Sequence, residues 1–266
     1  MPSTLKKDRS TQRIIEPNFF SNWGDLFFPT IANRLLLPAS QMGWLKPNHV
    51  SVLSFLLYSS ACFGAILWPD LRLWFAFLLP LSYILDCLDG QLARYTKQMS
   101  KLGDYLDKTL DVIKIFVINF SIGLIAYRET QDIIFIYLSF LSCFAFLFRY
   151  YIKLETMFGA INNDSDYLDK SRERRQSLYA RLLKQKSAKK TLAGHLKWQW
   201  FRHRSFLALD EAEHVILGAL AIGTGHATWW CWAFGIWQTI IALFRLAERG
   251  WQITRKPASL TYPLRK

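Results

Sequence analysis

The sequence predicts an all-α fold: a polytopic membrane protein with six transmembrane helices, preceded by an N-terminal interfacial helical segment. Three observations carry this prediction. About half of the residues are apolar (52%), yet the chain has 33 Lys and Arg against 20 Asp and Glu, a net charge of +13. The charges fall in short stretches between long apolar runs, whereas a soluble protein of this composition would spread them over its surface. The apolar runs are each near the ~20 residues that cross a bilayer as a helix.

The elements follow in order. Residues 1–48 form a cytoplasmic N-terminal part, opened by Lys6, Lys7, Arg9 and Arg13. No apolar core precedes the first span, so a cleaved secretory signal is not expected. Asn18 to Met42 mixes Phe19, Phe20, Trp23, Leu26, Phe27 and Phe28 with Asp25 and Arg34. This reads as one or two short helices on the inner leaflet, broken at Pro29 and Pro38. A transmembrane catalytic domain follows over 49–250, with spans near 49–68, 72–95, 102–126, 132–154, 206–226 and 228–249. Its short hairpins lie at Pro69-Asp70, at Arg128 to Gln131 and near Gly225-His226. A long basic loop, 156–205, separates the fourth and fifth spans, and a tail, 251–266, ends the chain.

Six spans put both termini on one side, with the turn near Lys97 and Lys101 and the basic loop. Nearly all Lys and Arg fall there, and the opposite side has only Arg72 and Arg128. The positive-inside rule makes the basic side the cytoplasm. Trp68, Trp74, Trp229 and Trp230 group at the outer boundary as interfacial anchors do. The loop carries Arg172, Arg174, Arg175, Lys184, Lys186, Lys189 and Lys190. Its charge fits positive-inside topology and contact with anionic headgroups, with collection of anionic substrates as a second reading. No nucleic-acid module accompanies it, so nucleic acid is not an expected partner. Cys62, Cys87, Cys143 and Cys231 all lie in apolar runs without a C-x2-C pair and read as small apolar filler.

The second span breaks its apolar pattern with Asp86-Cys87-Leu88-Asp89-Gly90-Gln91-Leu92-Ala93-Arg94, and the third opens with Gly103-Asp104-Tyr105-Leu106-Asp107 and reaches Asp111. A carboxylate at a helix centre costs about 2.5–3.5 kcal/mol on insertion scales. These lie off-centre and cost less each, but their sum calls for a compensating function. Asp86, Asp89, Gly90, Ala93 and Arg94 share one helix face, and so do Gly103, Asp107 and Asp111. Folding the chain about a turn near Gln98 and Met99 sets Asp86 opposite Asp111 and Asp89 opposite Asp107. The two facing pairs are then one helical turn, ~5.4 Å, apart. Two magnesium or manganese ions ~3.5–4 Å apart fit between them. Gly90, Ala93 and Gly103 clear a slot for a flat group or a phosphate. Arg94 stands at the rim to hold a phosphate oxygen or to steady the carboxylates. Asp104 lies off this face, near a helix N-terminus where a carboxylate is stabilised anyway.

The pattern D-x2-D-G-x2-A-R-x8-G-x3-D-x3-D, met at Asp86, Asp89, Gly90, Ala93, Arg94, Gly103, Asp107 and Asp111, resembles the signature of the CDP-alcohol phosphotransferases. Pro47-Asn48-His49-Val50-Ser51 is similar to that family's P-N-x-V-T entry, with Ser for Thr. The likeness covers roughly 20–155 well and the rest in outline. It implies a transferase that takes a CDP-linked alcohol, CDP-diacylglycerol foremost, and an alcohol acceptor, releases CMP and works as a homodimer in the membrane. Asp86, Asp89 and Asp107 would be metal ligands. Asp111 would be the general base and touch the second metal. Gly90, Ala93, Arg94 and Gly103 would hold the CDP moiety, with Asn48 and Ser51 at its pyrophosphate.

Other polar residues keep two readings. Asp210, Glu211, Glu213 and His214 open the fifth span as an acidic first turn or as part of an acceptor site. Arg149 and Lys153 bind an acceptor phosphate or snorkel to the interface. Two other functions compete with phosphatidyl transfer. One is transfer of a small phospho-alcohol from its CDP derivative to a lipid alcohol. The other is divalent-cation transport through the acids, which does not explain Gly90, Ala93, Arg94 and Gly103.

Overall fold

A computed structural model describes residues 24–164 and 209–255, together with 166, 167, 169 and 173. Its helices are α1 (Gly24–Gln41), α2 (Pro47–Leu67), α3 (Arg72–Tyr95), α4 (Lys101–Thr130), α5 (Ile134–Asn163), α6 (Glu211–Gly223) and α7 (Ala227–Arg255). Among the described residues no strand occurs, so the architecture is the polytopic all-helical one expected.

Five helices are long and apolar enough to cross a membrane: α2, α3 with the short turn before it, α4, α5 and α7. The fifth predicted span corresponds to α6, whose 13 residues extend only about 20 Å at 1.5 Å per residue. Residues 206–208 of that span lie outside the described residues, as do the basic residues singled out between 172 and 204, the segment before Gly24 and the tail after Arg255.

Local chemistry sets the helix ends. Pro47 stands in the first turn of α2, where its missing N–H costs nothing. The turn from α3 to α4 is closed by Lys97 in the left-handed region (φ 57°). The N–H of Gln98 donates to the carbonyl of Ala93 at 2.9 Å, the 6→1 bond of a Schellman ending. Ser100 then caps α4, its Oγ accepting from the Gly103 N–H at 2.9 Å. At the far end of the bundle, the carbonyls that end α2 receive side-chain donors: Arg128 bonds Ile66 at 2.7 Å and Arg72 bonds Ala65 at 3.3 Å. Arg72 is also ion-paired with Glu129. The two basic residues of the predicted outer side therefore tie the hairpin ends together.

One core runs through the bundle, with Tyr58, Cys62, Leu79, Ile118, Ile122, Ile125, Val215, Ile222 and Phe234 among its members. Small residues let the helices approach. A side chain at Gly64 would run into Phe75, one at Gly123 into Ser139, and one at Gly218 into Ile118. This is how membrane helices gain packing where lipid removes the usual apolar drive. The outward faces stay apolar, as at Leu73, Phe77, Phe140 and Phe144, which suits a lipid surround.

Two expectations change. α1 is one continuous helix through both Pro29 and Pro38. Pro29 lies beyond the first turn and gives up one helical N–H bond. Ala32, Leu36 and Ala39 compensate by packing on Val50, Leu88 and Leu92. The Pro29 carbonyl also accepts from Gln91 Nε2 at 2.8 Å. Trp68, Trp74 and Trp229 are exposed, but Trp230 turns inward and stacks on Phe234 at 3.5 Å between centroids. Neighbouring residues on a helix point about 100° apart, so Trp229 and Trp230 do not share an outer face.

Candidate active site

α3 and α4 are joined by the turn at Thr96 to Ser100, and both pack on α2. Asp86 and Asp89 on α3 and Asp107 on α4 each bring a carboxylate oxygen into one group, all within 4.8 Å of one another. Asp89 is the most enclosed, 5% exposed, and its Oδ2 has no hydrogen-bond partner among the described residues. An orphaned carboxylate oxygen inside a bundle is costly. Three hard, anionic oxygen donors around it suit magnesium or manganese. The residues therefore fit a divalent ion.

The surroundings follow the predicted face. A Cβ on Gly90 would touch the Arg94 guanidinium at 3.4 Å, so Arg94 lies back over Gly90, within electrostatic reach of Asp89 and Asp107. A Cβ on Gly103 would stand 3.1 Å from both Asn48 Oδ1 and Ser100 Oγ. Asn48 thus faces the start of α4, and only glycine leaves that space open. Ser51, one turn along α2, is buried and donates through Oγ to the Pro47 carbonyl at 3.3 Å. Ala93 sits where its carbonyl receives the turn. Asp104 stands apart, paired with Lys108 at 2.6 Å on the exposed side of α4.

Asp111 lies outside the three-acid group. Its Oδ1 is 3.4 Å from Lys114 Nζ, and the same ammonium pairs with Asp86. Lys114 is 7% exposed and was not singled out in the sequence. The signal was present: a lone Lys in an apolar stretch, three residues after Asp111 and seven after Asp107, on their face. Ser54 was also missed. Its Oγ donates to the Ser82 carbonyl at 2.9 Å and lies 3.4 Å from Asp86 Oδ1.

Beyond Asp111 a narrow cavity is lined by Tyr58, Tyr83, Asp111, Lys114, Ile115, Glu211 and Val215. The first turn of α6 therefore borders the same space as Asp111. Glu211 accepts from the Tyr150 hydroxyl at 2.5 Å. His214 is fully buried, edge-on to Phe146 and Phe234, with Nδ1 3.3 Å from the Asp210 carbonyl. Arg149 and Lys153 are not in the acid group. Arg149 pairs with Asp210 at 3.4 Å and covers the Phe146 ring at 5.0 Å, while Lys153 lies 5.5 Å over the Tyr150 ring.

Residues 44–170 match the sequence profile of the CDP-alcohol phosphatidyltransferase family. That segment is a domain of this family. Within the CDP-alcohol phosphatidyltransferase match lie Asp86, Asp89, Asp107, Asp111, Asn48 and Lys114. The chain is 34% identical over 80 residues to the archaetidylinositol phosphate synthase of Pyrococcus horikoshii, covering 30% of this chain and 42% of that protein. It is 33% identical over 98 residues to a bifunctional IPC transferase and DIPP synthase of Thermococcus kodakarensis, covering 37% of this chain and 21% of that one. The chain thus spans less than half the length of these curated relatives.

Proposed function

We propose that the chain is a metal-dependent CDP-alcohol phosphotransferase of lipid synthesis, moving a phosphatidyl group from CDP-diacylglycerol to the hydroxyl of a small polar alcohol. The observation that carries this is the convergence of Asp86, Asp89 and Asp107 with an unpartnered buried Asp89 oxygen, beside a gap kept by Gly90 and Gly103. Asp86, Asp89 and Asp107 hold magnesium or manganese, which when bound neutralises pyrophosphate charge. Arg94 contributes a permanent positive charge for a phosphate oxygen, and Asn48 and Ser51 face the same side. Asp111 takes the proton of the acceptor hydroxyl. The new oxygen–phosphorus bond forms at the phosphorus farther from cytidine. The pyrophosphate bridge breaks, its electron pair leaving on CMP.

The concentration of Lys and Arg in the sequence segments that six spans would leave on one side supports a cytoplasmic site and cytoplasmic termini. The homodimer implied by the resemblance belongs to the same proposal. The test incubates the purified full chain with magnesium, radiolabelled CDP-diacylglycerol and a panel of alcohols, with CMP release and labelled lipid as readouts. Inositol phosphate heads the panel, because one relative's name contains that product. Magnesium-dependent CMP release with a new labelled lipid is expected. No labelled lipid with any alcohol would sink the phosphatidyl-transfer reading, and turnover of a CDP-linked polar alcohol with a lipid alcohol would replace it.

A further inference from the structure

The expected pairing of Asp86 with Asp111 leaves room for a second ion only if nothing else lies between them. Lys114 does. It rises from α4 one turn beyond Asp111, is 7% exposed, and reaches across to α3. Its Nζ pairs with Asp86 and lies 3.4 Å from Asp111 Oδ1. An ammonium has three donors and no acceptor, so two of its donors are directed at two carboxylates. The remaining acids, Asp89 and Asp107, stay grouped with Asp86. The geometry therefore separates the four acids into three that converge and one held through a cation that the chain supplies itself.

We propose that Lys114 stands in the position of a second divalent cation, so that without nucleotide the chain holds one ion, at Asp86, Asp89 and Asp107. This rests on the metal reading of that site given above. A dication between Asp86 and Asp111 would meet the Lys114 charge at contact distance, and its two acid ligands are already neutralised in part. The ammonium does for Asp86 and Asp111 what an ion would do: it offsets their repulsion and fixes Asp111 relative to the three-acid group. Lys114 is thus a positioning residue. A further ion enters only with the extra negative charge of a pyrophosphate.

The test counts bound manganese. The full chain, purified in detergent and stripped with chelator, is titrated with Mn2+ alone, and free Mn2+ is read by electron paramagnetic resonance. One Mn2+ per chain is expected for the wild type and for Lys114→Arg. Lys114→Gln, which frees Asp86 and Asp111, should rise to two, and Lys114→Met serves the same purpose if the glutamine variant does not fold. Two ions in the wild type overturn the proposal, as does a single ion in the folded Gln or Met variant. No bound ion in the wild type sinks instead the metal reading on which it rests.

Discussion

Replacing Lys114 by Gln should destabilise the protein far more than a surface charge change would. The Lys114 and Asp86 side chains are 9% and 14% exposed, so their pair is buried. Removing one partner of a buried pair leaves an uncompensated charge and costs about 3–5 kcal/mol. A domain of 150–250 residues shifts its midpoint by about 2–4 °C per kcal/mol, so the expected drop is roughly 6–20 °C. The assay is thermal unfolding in detergent and chelator at one fixed scan rate, since membrane proteins rarely refold on cooling. Asp86→Asn should cost less, because Lys114 keeps Asp111 at 3.4 Å. The double variant should fall short of the sum of the singles, as coupled neighbours do. With chelator replaced by excess manganese, the midpoint of Lys114→Gln should rise more than that of the wild type, because the variant holds one ion more. A Lys114→Gln shift under about 2 °C, or strict additivity in the double variant, would refute the claim that this pair is energetically coupled.

Three further outcomes follow from contacts in the site. Asp111→Asn should lower turnover by about 10²–10⁴, the range of a lost general base, while manganese-dependent CMP binding persists; full activity would remove Asp111 as the base. Gly103→Val places side-chain carbon 3.1 Å from Asn48 Oδ1 and Ser100 Oγ. CMP affinity measured by calorimetry should fall about tenfold, equivalent to ~1.4 kcal/mol, and unchanged affinity would show that Asn48 does not face nucleotide. His214→Phe keeps the edge-on packing with Phe146 and Phe234. It should cost less than about 1.5 kcal/mol and leave CMP release intact. Loss of turnover in that folded variant would give the imidazole a chemical role.

How much of this could be read in the sequence depended on which interactions are periodic. The acids of α3 and α4 were legible as one neighbourhood because both helices carry their polar residues at helical spacing and the turn between them is short. Asp86, Asp89 and Asp107 converge, but as one group of three without Asp111 rather than as part of two facing pairs. The continuity of α1 was not legible. Proline rules weigh the lost N–H but not what the helix packs against, and here α3 supplies both apolar contact and the Gln91 bond to the Pro29 carbonyl. Trp230 was misplaced for a related reason: grouping by depth ignored the rotation between successive residues, which sends Trp229 out and Trp230 in. α6 looked like a full span because apolar residues flank Asp210, Glu211, Glu213 and His214 on both sides, yet its described helix begins only at Glu211, after the left-handed Leu209.

The role of Asp111 shows where pattern alone stops. Spacing gives each acid a face and a height, and at that level Asp86 and Asp111 are partners. It does not say what fills the gap between them. A long flexible lysine three residues away on the same face reaches both acids at once, and it does so because a bundle interior offers the ammonium no better acceptors. The four acids are therefore unequal for a physical reason: three converge, while Lys114 links one of these, Asp86, to the fourth, Asp111. In the proposed mechanism the acceptor-side base, Asp111, therefore stands beside a positive charge that the chain itself supplies.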